Sequence, residues 1–123
     1  AETARQDRFA QSTDVYAVKA SNYKGLRRGS PVYCRNNWHI HHAKNGGGQM
    51  IICIAGRGYY QEEGKEAIEM NPGDCINIPA EVKHWHGAAP DSWFSHLAIE
   101  VPGEENSNEW CETVSDEEYG KLK

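Results

Sequence analysis

Three of the six histidines stand together in the stretch NNWHIHHAKNGGGQM, at His39, His41 and His42. A second His-x-His pair follows at His84 and His86, and the sixth histidine is His96. Strand side chains alternate between faces with period two. An extended WHIH therefore turns His39 and His41 to one side and Trp38 and Ile40 to the other. The same parity pairs His84 with His86 against Lys83 and Trp85, and puts His96 on a face with Phe94, Ala98 and Glu100. Gln49 shares a face with Ile51 and Cys53. If these faces look into one interior, that interior holds a cluster of imidazoles among small apolar groups. Burying such groups without partners is costly. A divalent metal offsets the cost, because neutral imidazole nitrogens coordinate it directly. A single His-x-His is weak evidence, since lone strand histidines are more often satisfied core or surface residues. Two such pairs on separate strands favour a metal. His42 has the opposite parity to His41, opens the glycine stretch, and reads as a loop residue.

The elements that must position these side chains are strands. QMIICIA is a β-rich run ended by Gly56, and GYYQEE follows it. EAIEM alternates, NPGD is a strong turn signal, and CINIP is another short strand. VKHWHG reads as extended, and WFSHLAIEV is the longest strand candidate. Short strands at intervals of roughly 8–12 residues, split by Gly and Pro turns, indicate an all-β sandwich or barrel. Residues 1–33 are weakly patterned: ARQDRFAQ suits a helical turn, DVYAVKA a short strand and SNYKGLRRGSP a loop. SDEEYGKLK suits a short helix, with Ser115 as N-cap and Glu118 as its capping-box partner.

The 123 residues suffice for one domain with one core. Eighteen acidic against 13 basic residues give a net charge of −5, which argues against nucleic acid or an anionic membrane as partner. Residues 1–33 carry six Lys/Arg against three Asp/Glu, and residues 103–123 carry seven Asp/Glu against two Lys. These ends read as solvated, or as arm and tail meeting between subunits. No apolar run reaches the roughly 18 residues of a membrane span, and no signal-type apolar segment opens the chain. The four cysteines form no CxxC, and two lie in apolar runs, so a reducing, cytoplasmic location is expected.

The phrases HIH…Q followed by six residues and Gly56, and GDCINIPAEVKH with Gly73, Pro79 and His84, resemble the two motifs of the cupin family. The longer PGDCINIPAEVKHWHGAAPDSWFSHLAIE is similar to small single-domain cupins that include manganese-dependent hydroxynitrile lyases and proteins associated with carboxymuconolactone decarboxylases. The resemblance covers about residues 35–101. It implies a double-stranded β-helix, or jelly-roll, barrel over residues 34–114, preceded by an arm at 1–33 and followed by a helix at 115–123. It further implies metal ligands at His39, His41, Gln49 and His84. The matching positions place His86 and His96 against substrate, and one of them is expected to act as general base.

The chain departs from the pattern in four respects. The gap from His41 to Gln49 is longer, which threatens Gln49 as a ligand. Tyr33 stands at the first motif's glycine. Glu81 and Ala88 replace the second motif's glycine and asparagine. Residues 1–33, with Pro31, do not resemble the strands that come before the motif.

The expectation is a metal-dependent lyase or isomerase acting on a small hydroxyl- or carbonyl-bearing compound, with manganese, iron, nickel or zinc as cofactor. A non-haem dioxygenase and a non-enzymatic ligand-binding or sensor cupin are the alternatives. The apolar face of Met50, Ile52 and Ile54 needs a cover, and a homodimer is expected to provide it. The four tryptophans read as core or interface anchors.

Overall fold

The computed structural model describes residues 16–25 and 34–123. Eleven strands and one short helix are formed by these residues. They are β1 (Ala17–Lys24), β2 (His39–His42), β3 (Asn45–Gly46), β4 (Gln49–Gly56), β5 (Gly58–Glu62) and β6 (Ile68–Met70). There follow β7 (Cys75–Ile78), β8 (His84–Ala88), β9 (Trp93–Glu100), β10 (Gly103–Glu104), β11 (Ser107–Trp110) and the helix α1 (Asp116–Gly120).

The strands make two antiparallel sheets, ordered β1-β9-β4-β7 and β11-β2-β8-β5-β6, and a small rim pair of β10 and β3. A core of Ile51, Cys53, Tyr60, Met70, Ile78, Ala88, Phe94 and Ala98 draws on both sheets and fills the space between them. A second cluster, Cys34, Trp38, Trp85, Val114 and Tyr119, brings α1 against β8. The Tyr119 hydroxyl donates to the Ala88 carbonyl at 2.7 Å inside this contact. Ser115 caps α1 by accepting from the Glu118 amide at 3.1 Å, while the Glu118 carboxylate lies 3.6 Å from Lys121.

Two expectations change here. SNYK is not loop but the second half of β1, because it pairs residue for residue with β9, from Ser21 opposite His96 to Lys24 opposite Trp93. Its polar side chains conceal a strand whose register is set by a neighbour rather than by its own alternation. His42 is likewise not a loop residue. It ends β2 opposite Ser107, and its ring lies between two carboxylates, Glu81 at 2.5 Å and Glu109 at 2.7 Å, whose hydrogen bonds raise its pKa.

The glycine stretch is organised. Lys44 donates to Glu104, Gly47 donates to Pro102, and Val101 donates to Gly48, so residues 44–48 run antiparallel to 101–104 as a rim pair. Gly46, Gly47 and Gly48 all have positive φ, and at Gly48 (φ +95°) a Cβ would lie 2.4 Å from the Ile78 carbonyl oxygen. The extra residues are absorbed in this rim, and the chain re-enters the sheet with Gln49 opposite Glu100 and Ile78. Glu81, at the motif glycine, sits at φ +72°, the conformation a glycine would take without strain. Its amide donates to the His41 carbonyl and its carboxylate accepts from Ala43, which ties the second motif to the first. Tyr33, Pro31, the basic arm before residue 16 and ARQDRFAQ lie outside the described residues.

Candidate metal centre

Parity along β2 and β8 does what the sequence suggests. His39, His41, His84 and His86 are all buried, whereas Ile40 and His42 are only partly so. Trp85 is also buried, but on the opposite face, against α1. His39 and His84 are direct partners across the two strands, with ring centroids 4.2 Å apart. His41 lies 5.0 Å from His39 and 5.2 Å from His84, ring to ring. One nitrogen from each of the three falls within 4.8 Å of the others, so the trio could hold a metal ion.

The protons on these rings are placed by their outer neighbours. His39 Nδ1–H donates to the Asn37 carbonyl at 2.8 Å, and His84 Nδ1–H donates to the Val82 carbonyl at 2.9 Å. A carbonyl can only accept, so both rings keep a bare Nε2. His41 Nδ1–H donates to Asn108 Oδ1 at 2.8 Å, with the same result. Such outer contacts fix tautomer and ring orientation at metal sites. His41 Nε2 and His84 Nε2 are buried with no hydrogen-bond partner among the described residues, and so is Gln49 Oε1. Gln49 Nε2 donates to Glu100 Oε1 at 2.8 Å, which leaves the amide oxygen as its free end. Unpartnered buried acceptors are expensive, and a cation removes the expense. The residues present therefore fit a divalent metal. Burial, reinforced by the neighbouring histidines, holds His39 down at about 3. Burial likewise lowers His84 to about 4. Both rings are thus held in the neutral form near pH 7.

His86 and His96 lie beside this trio. Their rings are edge to face at 4.8 Å, and His39 is 5.9 Å from His86. His96 stacks with Tyr23 and with Phe94, at 5.5 and 5.0 Å between ring centroids. Burial lowers His96 to about 4 and, with His96 next to it, takes His86 well below the ordinary imidazole range. Burial also raises the Tyr23 hydroxyl to about 12, opposed by a hydrogen bond with Asn36. A cavity of about 460 Å³ joins His39, His41, Gln49, His86 and His96, with Trp110 and Val18 among its other walls. Lys83 faces away, as parity implies, and pairs with Glu63 and Glu112.

Sequence reasoning missed four contributors. Glu100 reaches Gln49 and lies 3.6 Å from His41, so a carboxylate stands near a donor set that the sequence made neutral. Its shared parity with His96 was the available signal. Asn108 and Trp110 enter on β11, which pairs with β2. Nothing local to SNEW announces that. Asn36 holds His86 through two bonds. Trp38 and Trp85 are buried as expected, but Trp93 and Trp110 are 47% and 63% exposed. Trp110 lies over His39 at 4.8 Å, on the cavity wall. None of the four cysteines is in a disulfide.

Comparison with known proteins agrees with this geometry. Residues 32–99 match the cupin domain family. Over 85 residues the chain is 41% identical to an (R)-mandelonitrile lyase of Granulicella tundricola, across 69% of this chain and 62% of that enzyme, so the match spans under two thirds of the relative. A crystallised cupin-like protein of Thermotoga maritima is 36% identical and superposes with a TM-score of 0.73, covering 87% of this chain and 72% of the other. A cupin protein of Bacteroides fragilis, 24% identical with a TM-score of 0.53 over 71% of this chain and 65% of its own, shares the fold. The two-sheet barrel is thus the double-stranded β-helix, or jelly roll. Among the described residues no helix is long and apolar enough to cross a membrane.

Proposed function

The chain belongs to the cupin family, and from that premise we propose that it is a metal-dependent lyase or isomerase acting on a small hydroxyl- or carbonyl-bearing compound. The observation that carries the reading is the combination of bare, buried Nε2 atoms converging in the trio with two further buried imidazoles on the same cavity. In this reading His39, His41 and His84, with the Gln49 amide oxygen, hold a divalent transition metal. Manganese is the leading candidate, with iron, nickel or zinc the alternatives. The bound metal supplies Lewis acidity toward a substrate oxygen.

The chain's own residues do the rest. His86 and His96 face substrate, and one of them takes the proton of a bound hydroxyl. Their depressed pKa values keep both neutral near pH 7. The mandelonitrile lyase relative supports trying α-hydroxynitriles first. Cleavage of such a compound releases a carbonyl product and hydrogen cyanide. The hydroxyl proton is taken by one group, and the departing cyanide carbon gains one in return. Two imidazoles beside the metal suit that exchange.

The test pairs elemental analysis with turnover. The purified protein should carry close to one transition metal per chain, and His39→Ala, His41→Ala and His84→Ala should each lose it. Gln49→Ala should weaken it. The metal-loaded protein should release aldehyde from (R)-mandelonitrile or a related hydroxynitrile, and His86→Ala and His96→Ala should keep the metal but lose turnover. A protein that takes up no metal even after reconstitution sinks the proposal. The cytoplasm and a homodimer complete the reading. The dimer is supported by Ile54, which is 53% exposed on the outer face of β4, and sedimentation equilibrium checks it.

A further inference from the structure

One contact gives His86 a role different from that of its neighbours. Asn36 grips the residue twice. The His86 backbone N–H donates to Asn36 Oδ1 at 2.9 Å, and Asn36 Nδ2 lies 3.2 Å from His86 Nε2. A backbone amide can only donate, so it fixes the carboxamide with its oxygen toward His86 N. The NH2 group is then the end that meets the ring. An NH2 group can only donate to a ring nitrogen, so Nε2 must be the bare acceptor. In a neutral imidazole the other nitrogen then carries the proton. That nitrogen, Nδ1, is buried and has no hydrogen-bond partner among the described residues, although His86 lines the cavity. The backbone of Asn36 is also held, its N–H donating to the His86 carbonyl at 3.1 Å, so the amide is not free to swing away.

We propose that Asn36 is a positioning residue that locks His86 in the Nδ1–H tautomer, so that the Nε2 lone pair is held by Asn36 and His86 does not serve as a base. The trio shows the contrast. In His39, His41 and His84 the outer contact consumes Nδ1–H and leaves a bare nitrogen inward. In His86 the outer contact consumes the lone pair and leaves an N–H. The consequence for chemistry rests on the proposed reading of the cavity as a proton-transfer site. With its Nε2 lone pair held by the Asn36 amide, His86 has no free lone pair with which to take a substrate proton. Proton removal then falls to His96, whose Nδ1 is also unpartnered and whose ring is held by stacking and not by a fixed donor.

The tautomer is measurable without turnover. In the full chain, metal-free and zinc-loaded, two-bond 15N–1H correlation of the histidine rings reports which nitrogen of His86 is bare. The wild type should show a bare Nε2 and a protonated Nδ1. Asn36→Asp keeps the shape and the acceptor for His86 N but replaces the NH2 donor with a second acceptor. It should move the proton onto Nε2, a change that loss of packing alone does not produce. A protonated Nε2 in the wild type overturns the proposal, and so does an unchanged tautomer in a folded Asn36→Asp protein. Should that variant fail to fold, the wild-type spectrum alone decides. Metal content on the same samples keeps the two readings apart. Absent metal with a bare Nε2 defeats the enzyme reading and leaves the role of Asn36 standing. Bound metal with a protonated Nε2 does the reverse.

Discussion

Removing the Glu100 carboxylate should weaken metal binding without removing a proposed ligand. Glu100 Oε1 accepts from Gln49 Nε2 at 2.8 Å, and its other oxygen lies 3.6 Å from His41 Nδ1. In Glu100→Ala the Gln49 amide loses the partner that points its oxygen inward, and the site loses its nearby negative charge. A hydrogen bond to a charged acceptor contributes about 1.5–3 kcal/mol. Partial exposure of Glu100, at 25%, lets water replace some of that, so the lower half of the range applies. About 1.5–2.2 kcal/mol corresponds to a roughly 13- to 40-fold weaker dissociation constant, within the 10–100-fold that outer contacts govern at metal sites. Glu100→Gln separates the two effects, because its side-chain oxygen still accepts from Gln49 while the charge is gone. It should retain affinity between wild type and Glu100→Ala. Competition against a fluorescent chelator, with manganese and with zinc, gives the constants. Unchanged affinity in a folded Glu100→Ala protein would refute the assignment of Gln49 Oε1 as the fourth donor held by Glu100.

Other consequences are open to direct measurement. Metal-free protein should lose stability in acid. The folded-state pKa values of His39, His84, His86 and His96 lie below the unfolded value of 6.5, so the unfolded chain binds more protons between the two. Stability is therefore full above about pH 6.5 and declines as pH falls toward 4, by up to about 1.4 kcal/mol per pH unit for each such histidine; urea melts across pH 4–8 read this out. Gly48→Ala, placing a Cβ 2.4 Å from the Ile78 carbonyl oxygen at positive φ, should cost more than about 1 kcal/mol and lower metal affinity, since Gln49 is the next residue. Manganese should quench tryptophan emission through Trp110, which lies 4.8 Å from His39, and Trp110→Phe should abolish most of the quenching. Tyr119→Phe leaves the buried Ala88 carbonyl without its hydroxyl donor and should lower stability by about 1–2 kcal/mol while leaving metal affinity intact.

The histidine pattern was legible because strand parity is a local property. Residues two apart in an extended chain must share a face whatever the rest of the molecule does. His39 with His41, and His84 with His86, could therefore be paired from their spacing alone, and the motifs around them named the barrel. Ser115 and Glu118 likewise announced α1, because a cap is made by neighbours in sequence.

What the spacing left open was whatever depends on a distant partner. SNYK looked like loop because its side chains are polar, and only β9 makes it a strand. The glycine stretch threatened the register of Gln49, and only its pairing with residues 101–104 shows that the added length is taken up in the rim. Glu81 looked like a broken motif, yet it holds the left-handed conformation of the missing glycine and bonds back to Ala43. The sequence by itself determined which imidazoles share a face, since that follows from backbone geometry between adjacent residues. For His41 and His86 the tertiary structure alone decided which nitrogen is bare, because Asn108 and Asn36 reach these rings across 67 and 50 residues of chain, whereas His39 and His84 bond carbonyls only two residues back.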